Sequence, residues 1–284
     1  MNRETEKVRK IIYQVFDSLE TNNFSTLGKP DVKMFERPII GIAAGNDPYY
    51  DFLKIHIGEF HWSPSDVFKL KYDKVPQSDR LRVISLIFPQ TEETKNMQDK
   101  AENFPCDNWV VSRGEWEPMM KEFAEKIEKE LESAGIRSAA LDLRKEFHRQ
   151  DSENLGTASV WSHRHSAFAA GLGTFSLNDG FISEKGIAVR ITSVIAESDL
   201  DITPRGNRGH YDWCLYYSKG TCGACIKRCP VNAISKEHGH NKNICLEYED
   251  YAVENFWPKH IERKDYIFGC GLCQSKVPCR DRRP

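Results

Sequence analysis

Hydrophobic and polar positions along the first two hundred residues alternate between two periods. Val8, Ile11, Ile12, Val15, Phe16 and Leu19 recur at helical spacing within residues 4–20. "RPIIGIAA" at 37–44 and "RLRVISLIF" at 80–88 are short apolar runs and predict strands. Met119, Phe123, Ile127 and Leu131 lie four apart in "WEPMMKEFAEKIEKELESAG", predicting an amphipathic helix that stops at Gly135. "IRSAALDL" at 136–143 and "IAVRITSVIA" at 187–196 predict further strands, and 159–170 predicts a helix. The fold class expected for residues 1–200 is therefore α/β. The polar stretch "DLDITPRGNRGH" at 199–210 predicts a boundary, with residues 201–284 as a second domain of short elements strung between cysteines.

Composition adds chemistry to this outline. The 284 residues carry nine cysteines. No apolar run is long enough to span a bilayer, and "MNRETEKVRK" is too charged for a secretory leader. These features predict a cytoplasmic protein without a membrane partner, in which cysteines serve metal or redox chemistry rather than disulfides. The net charge of −2 gives no overall signature of a nucleic-acid binder. Residues 201–284 hold 14 Lys and Arg against 10 Asp and Glu, so the cysteine-rich part is locally basic. Cations there would offset metal-bound thiolates.

Eight of the nine cysteines follow residue 210: Cys214, Cys222, Cys225, Cys229, Cys245, Cys270, Cys273 and Cys279. Two-cluster ferredoxins use C-x2-C-x2-C-x3-C-P, whose last cysteine serves the other cluster. Cys222, Cys225 and Cys229-Pro230 match the end of that run. Its first cysteine would fall on Lys219, and Cys214 stands in for it. Crossed ligation then predicts two 4Fe–4S clusters. Cys214, Cys222, Cys225 and Cys279 hold cluster 1; Cys229, Cys245, Cys270 and Cys273 hold cluster 2. A zinc ribbon would use only four of the eight. Cys106 stands alone and reads as a free thiol.

This arrangement, with "FGCGLC" at 268–273 and "AAGLGTFSLNDG" at 169–180, resembles the epoxyqueuosine reductase family and the related reductive dehalogenases. The resemblance implies a nitroreductase-like α/β (α+β) domain that holds cobalamin, followed by a two-cluster ferredoxin-like domain that supplies it with electrons. It implies cofactor-binding roles for Gly171, Leu172, Gly173 and Asn178. Just before them, His163, Arg164 and His165 are candidate catalytic residues: histidine donates protons near neutral pH, and arginine holds anions. Three departures stand out. The position of the family's acidic proton donor is Thr157; Ser176-Leu177 replace a Gly-Lys pair; and the closing cysteines read C-x2-C-x5-C. The cysteines and the resemblance predict a cytoplasmic iron–sulfur oxidoreductase of anaerobic character that takes electrons from a ferredoxin or flavodoxin; the departures predict that it reduces a small molecule, with tRNA not expected as a partner. The alternatives are a non-catalytic electron carrier, an activase for a corrinoid protein, and an epoxyqueuosine-tRNA reductase proper.

Overall fold

The structure is a computed structural model that describes residues 1–262 and 268–284. Its helices are α1 (Arg3–Asp17), α2 (Tyr49–His56), α3 (Pro64–Lys69), α4 (Glu92–Lys100), α5 (Asp107–Gly114), α6 (Trp116–Ser133), α7 (His163–Ala169), α8 (Leu215–Lys219), α9 (Ala224–Arg228) and α10 (Lys242–Phe256). Its strands are β1 (Ile39–Ala44), β2 (Leu81–Pro89), β3 (Ser138–Ala140), β4 (Arg149–Ser152), β5 (Gly156–Ser159), β6 (Gly173–Phe175), β7 (Phe181–Ser183), β8 (Val189–Glu197), β9 (Ile234–Ser235) and β10 (Gly239–His240).

The central sheet runs β1-β2-β8-β3, and every pairing is antiparallel. Alternate residues of each strand enter opposite cores. Ile40, Ile42, Ile84, Leu86, Phe88, Val194 and Ala196 pack with α1 and α6. Ala43, Val83 and Ile195 pack with α2, α3 and α7 on the other face. Helices thus cover both faces, which explains why β1, β2 and β8 read as nearly continuous apolar runs despite their antiparallel order. The α1 stripe buries Val8, Ile12, Val15 and Phe16. Each such side chain contributes roughly 1.5–3 kcal/mol on burial. Asn2 caps the helix by accepting the Thr5 N–H at 2.8 Å.

Two local expectations are corrected. The helix expected over 159–170 begins only at His163, because residues 156–159 form β5 of a polar hairpin with β4. The cysteine-rich part contains the 15-residue α10 among its short elements. The polar stretch 199–210 packs along the first sheet strand: Thr203 N–H donates to the Ile42 carbonyl at 2.8 Å, and Ile42 N–H to Thr203 Oγ1 at 3.0 Å.

The cysteine-rich part is clamped to the sheet domain at several points. Ile187 N–H donates to the Cys279 carbonyl at 2.8 Å, Gln98 Nε2 to the Cys270 carbonyl at 3.1 Å, and Trp109 Nε1 to the Gly269 carbonyl at 3.1 Å. Arg280 reaches α4, pairing with Glu92 and Asp99 at 2.7 Å each.

Candidate metal centres and adjoining cations

The eight cysteines after residue 210 fall into two groups in space. Cys214, Cys222, Cys225 and Cys279 line one cavity of about 370 Å³, together with Leu177, Ile187 and Val277. The other four lie about Cys270: that thiol is pushed up to about 12 by burial and then by Glu249, Cys245 and Cys229, while Cys273 is pushed up by burial and by Cys270. In the first group, burial and the neighbouring thiols raise Cys225 to about 11 and Cys279 to about 12. Buried thiols that raise one another in this way become thiolates together only when a cation sits among them. Among the described residues no three His, Cys, Asp or Glu converge closely enough for a single metal ion. Quartets set around a space fit a multi-iron cluster better than zinc, which draws its ligands to one point. One backbone donor already points at sulfur: Ala233 N–H to Cys229 Sγ at 3.2 Å. Cys106 lies apart at the start of α5, its thiol pushed up to about 11 by burial.

Beside the second quartet basic side chains gather. Burial lowers the pKa of Arg164 and lowers that of Arg190 to about 9, while Arg164 is exposed and Arg190 half-buried. Lys242, Cys245 and Glu249 share one face of α10 by their i, i+3, i+7 spacing. Their electrostatic neighbours, Arg164 for Lys242 and Arg190 for Glu249, place that face beside these arginines.

His163, Arg164 and His165 diverge from successive helical positions. His163 Nδ1 lies 2.9 Å from Ser193 Oγ, which also accepts the Trp161 Nε1–H at 2.9 Å. Arg164 donates to the Asp179 carbonyl. His165 turns away into an aromatic nest with Tyr49, His56, Phe175 and His210, its Nδ1 2.7 Å from Ser162 Oγ. Burial holds His165 well below the ordinary histidine range, with Arg164 and three histidines adding to the effect.

The expected cofactor-binding segment is packed chiefly against protein. Gly171, at φ +70°, ends α7, and a Cβ there would meet the Pro204 carbonyl oxygen at 2.6 Å; one on Gly173 would meet the Ile182 carbonyl oxygen at 2.0 Å. Leu172 packs over Gly41. Asn178 ties this segment to the second quartet, donating from Nδ2 to the Cys273 carbonyl at 3.0 Å. Thr157 sits on β5 directly opposite Asp151 of β4. Cross-strand partners share a face, so a carboxylate stands next to the position where the family's acid was expected. Only the hairpin register reveals it.

Residues 220–279 match a family described as the 4Fe-4S double cluster binding domain. Among curated proteins, the epoxyqueuosine reductase of Cellulophaga algicola is 31% identical over 115 residues, covering 39% of this chain and 35% of that protein. The chain thus aligns with about a third of that relative's length. The resemblance to epoxyqueuosine reductases holds. The solved epoxyqueuosine reductase of Streptococcus thermophilus shares the fold, with a TM-score of 0.51 at 14% identity, over 99% of this chain and 66% of that one. Another similar structure is an epoxyqueuosine reductase with an epoxyqueuosine-modified tRNA-Tyr stem loop, at a TM-score of 0.47, 17% identity, and 95% and 66% coverage. The expectation that tRNA is not a partner is corrected: the curated relatives are named epoxyqueuosine reductases, from which the departures in this chain were expected to set it apart. Among the described residues no helix is long and apolar enough to cross a membrane.

Proposed function

We propose that this chain is a cytoplasmic iron–sulfur reductase of the epoxyqueuosine type, acting on a modified nucleoside carried by RNA. The observation that carries the reading is the sorting of eight cysteines into two quartets, the second of which shares α10 with the nearby cations. Cys214, Cys222, Cys225 and Cys279 would ligate cluster 1, and Cys229, Cys245, Cys270 and Cys273 cluster 2. Bound clusters supply electrons singly at low potential. A corrinoid, implied by the resemblance, would lie beside the second quartet, between α7, the start of β8 and α10, near Arg164 and Arg190. It would supply the two-electron chemistry that amino-acid side chains lack. Gly171, Leu172 and Gly173 would shape the wall behind it, and Asn178 would hold that wall to cluster 2.

The chain's own residues supply positioning and hydrogen bonds. Reducing an epoxide to an alkene consumes two electrons and two protons and releases water; the two protons come from solvent. With the Ser193 hydroxyl donating to Nδ1, His163 carries its proton on Nε2. Burial lowers its pKa, so the ring is neutral near pH 7 and offers a hydrogen bond, not a proton, from that nitrogen. His165 acts at most indirectly, by packing under the helix that presents Arg164.

The test is turnover. Anaerobically reconstituted protein with cobalamin and dithionite is offered a tRNA stem loop bearing epoxyqueuosine, and the nucleosides are analysed. Conversion to queuosine is expected. A cluster-loaded, corrinoid-binding protein that leaves the epoxide intact would refute the substrate.

A further inference from the structure

The start of α10 lies among more cations than carboxylates. Arg164, Lys242 and Arg149 approach one another from three separate segments: the start of α7, the start of α10 and β4. Lys242 is depressed by burial first, with Arg164 and Arg149 adding to it, and Arg164 is likewise depressed by burial and by Arg149. Asp179 is the carboxylate that acts on both, and its Oδ2 is already engaged by His240 Nδ1 at 3.1 Å. Lys242 Nζ donates to the Leu155 and Thr157 carbonyls at 3.0 and 3.4 Å. Those bonds fix the ammonium without cancelling its charge. Asp151 shares the outer face of the β4–β5 hairpin with Arg149. Among the described residues, however, no carboxylate makes an ion pair with any of the three cations. Arg149 and Arg164 are exposed and Lys242 half-buried; like charges gathered at one place repel, and an anion bound among them removes that cost.

We infer that Arg164, Lys242 and Arg149 form an anion subsite that takes a phosphodiester group where the β4–β5 hairpin meets α10. The subsite deepens the functional reading above and rests on it for the identity of the ligand. Arg164 offers a planar fork suited to two phosphate oxygens. Lys242 offers a point charge held by the hairpin carbonyls, and Arg149 closes the outer side. The phosphodiester could belong to the RNA backbone or to the nucleotide loop of the corrinoid. The chemistry recognised is the same.

The experiment compares the full-length, cluster-loaded protein with Arg164→Gln and Lys242→Gln, with Arg164→Lys as the conservative variant. Iron content and urea midpoint check that each variant folds. Inorganic pyrophosphate, titrated by calorimetry, is the first probe, because it requires nothing of the reaction. Each glutamine variant should weaken it by about tenfold or more, the usual effect of losing one charged hydrogen-bonding group, and Arg164→Lys should recover part of the loss. A tRNA stem loop is then titrated at several salt concentrations, and cobalamin is compared with cobinamide, which lacks the nucleotide phosphate. Weakened RNA binding with a salt slope shallower by about one assigns the phosphate to the RNA. A loss seen with cobalamin but not cobinamide assigns it to the cofactor. Equal pyrophosphate affinity in all four proteins overturns the subsite. Weakened pyrophosphate binding in the variants, beside a wild type that does not turn over the modified RNA, keeps the subsite and overturns the functional reading alone.

Discussion

Gly271 sits between two ligands proposed for cluster 2, and replacing it with alanine separates two costs. Its φ is +61°, in the left-handed region, and an added Cβ would lie 2.1 Å from a Trp109 ring carbon. Trp109 is buried at 2% exposure, and its Nε1–H is held by the Gly269 carbonyl, so neither ring nor loop yields freely. Left-handed backbone costs a non-glycine residue about 1–2 kcal/mol. Over-packing adds roughly 1–3 kcal/mol. Gly271→Ala should therefore destabilise the protein by about 2–5 kcal/mol in urea denaturation, the sum of those two effects. It should also displace Cys270 and Cys273 enough to lose about half of the eight iron atoms of a two-cluster protein. Gly220→Ala is the control. Its φ is +66°, and an added Cβ would meet nothing within 4 Å. It should cost only the backbone part, about 1–2 kcal/mol, and keep its iron. If the two variants match in urea midpoint and iron content, the argument that Trp109 braces the cluster loop is wrong.

Cys106→Ser should retain full iron, whereas Cys214→Ser and Cys229→Ser should each lose one cluster and leave the other; loss of a cluster in Cys106→Ser would break the ligand assignment. Glu128 accepts the Ala140 N–H at 2.6 Å and pairs with Arg144 at 2.9 Å and Lys71 at 2.7 Å, so Glu128→Gln should cost about 3 kcal/mol, measured by urea unfolding. Burial lowers His61 to about 4, so the folded protein keeps it neutral while the unfolded chain takes up a proton below its ordinary value of 6.5. The stability it contributes is complete above that value and is lost as pH falls toward 4: about 2 kcal/mol between pH 7 and pH 5. His61→Gln should flatten that part of the profile of urea midpoints against pH, and an unchanged acid sensitivity would refute it.

Particular residues explain what the sequence shows and what it hides. The apolar stripes of α1 and α6 and the runs of β1, β2 and β8 were legible because each buries a regular set of positions. α10 was not, since it leaves Ile244, Leu246, Tyr251 and Phe256 exposed and shows no clean stripe. The β4–β5 hairpin, "RQDS" and "GTAS", has no apolar pattern to read. Cysteine spacing suggested the two quartets, because chelating chemistry confines both residue type and interval. The cations beside α10 were out of reach: Arg149, Arg164 and Lys242 come from distant segments and meet only after the hairpin docks on α10. The divergence of His163, Arg164 and His165 followed from helical geometry alone, but which of them meets those cations did not.

The most direct measurement is metal and acid-labile sulfide analysis of anaerobically purified protein, with its visible and paramagnetic resonance spectra. Two cysteine quartets predict about eight iron and eight sulfide per chain, the count of two four-iron cubes, and a reducible signal from two interacting clusters. Stoichiometric zinc with little iron would contradict the account at its base.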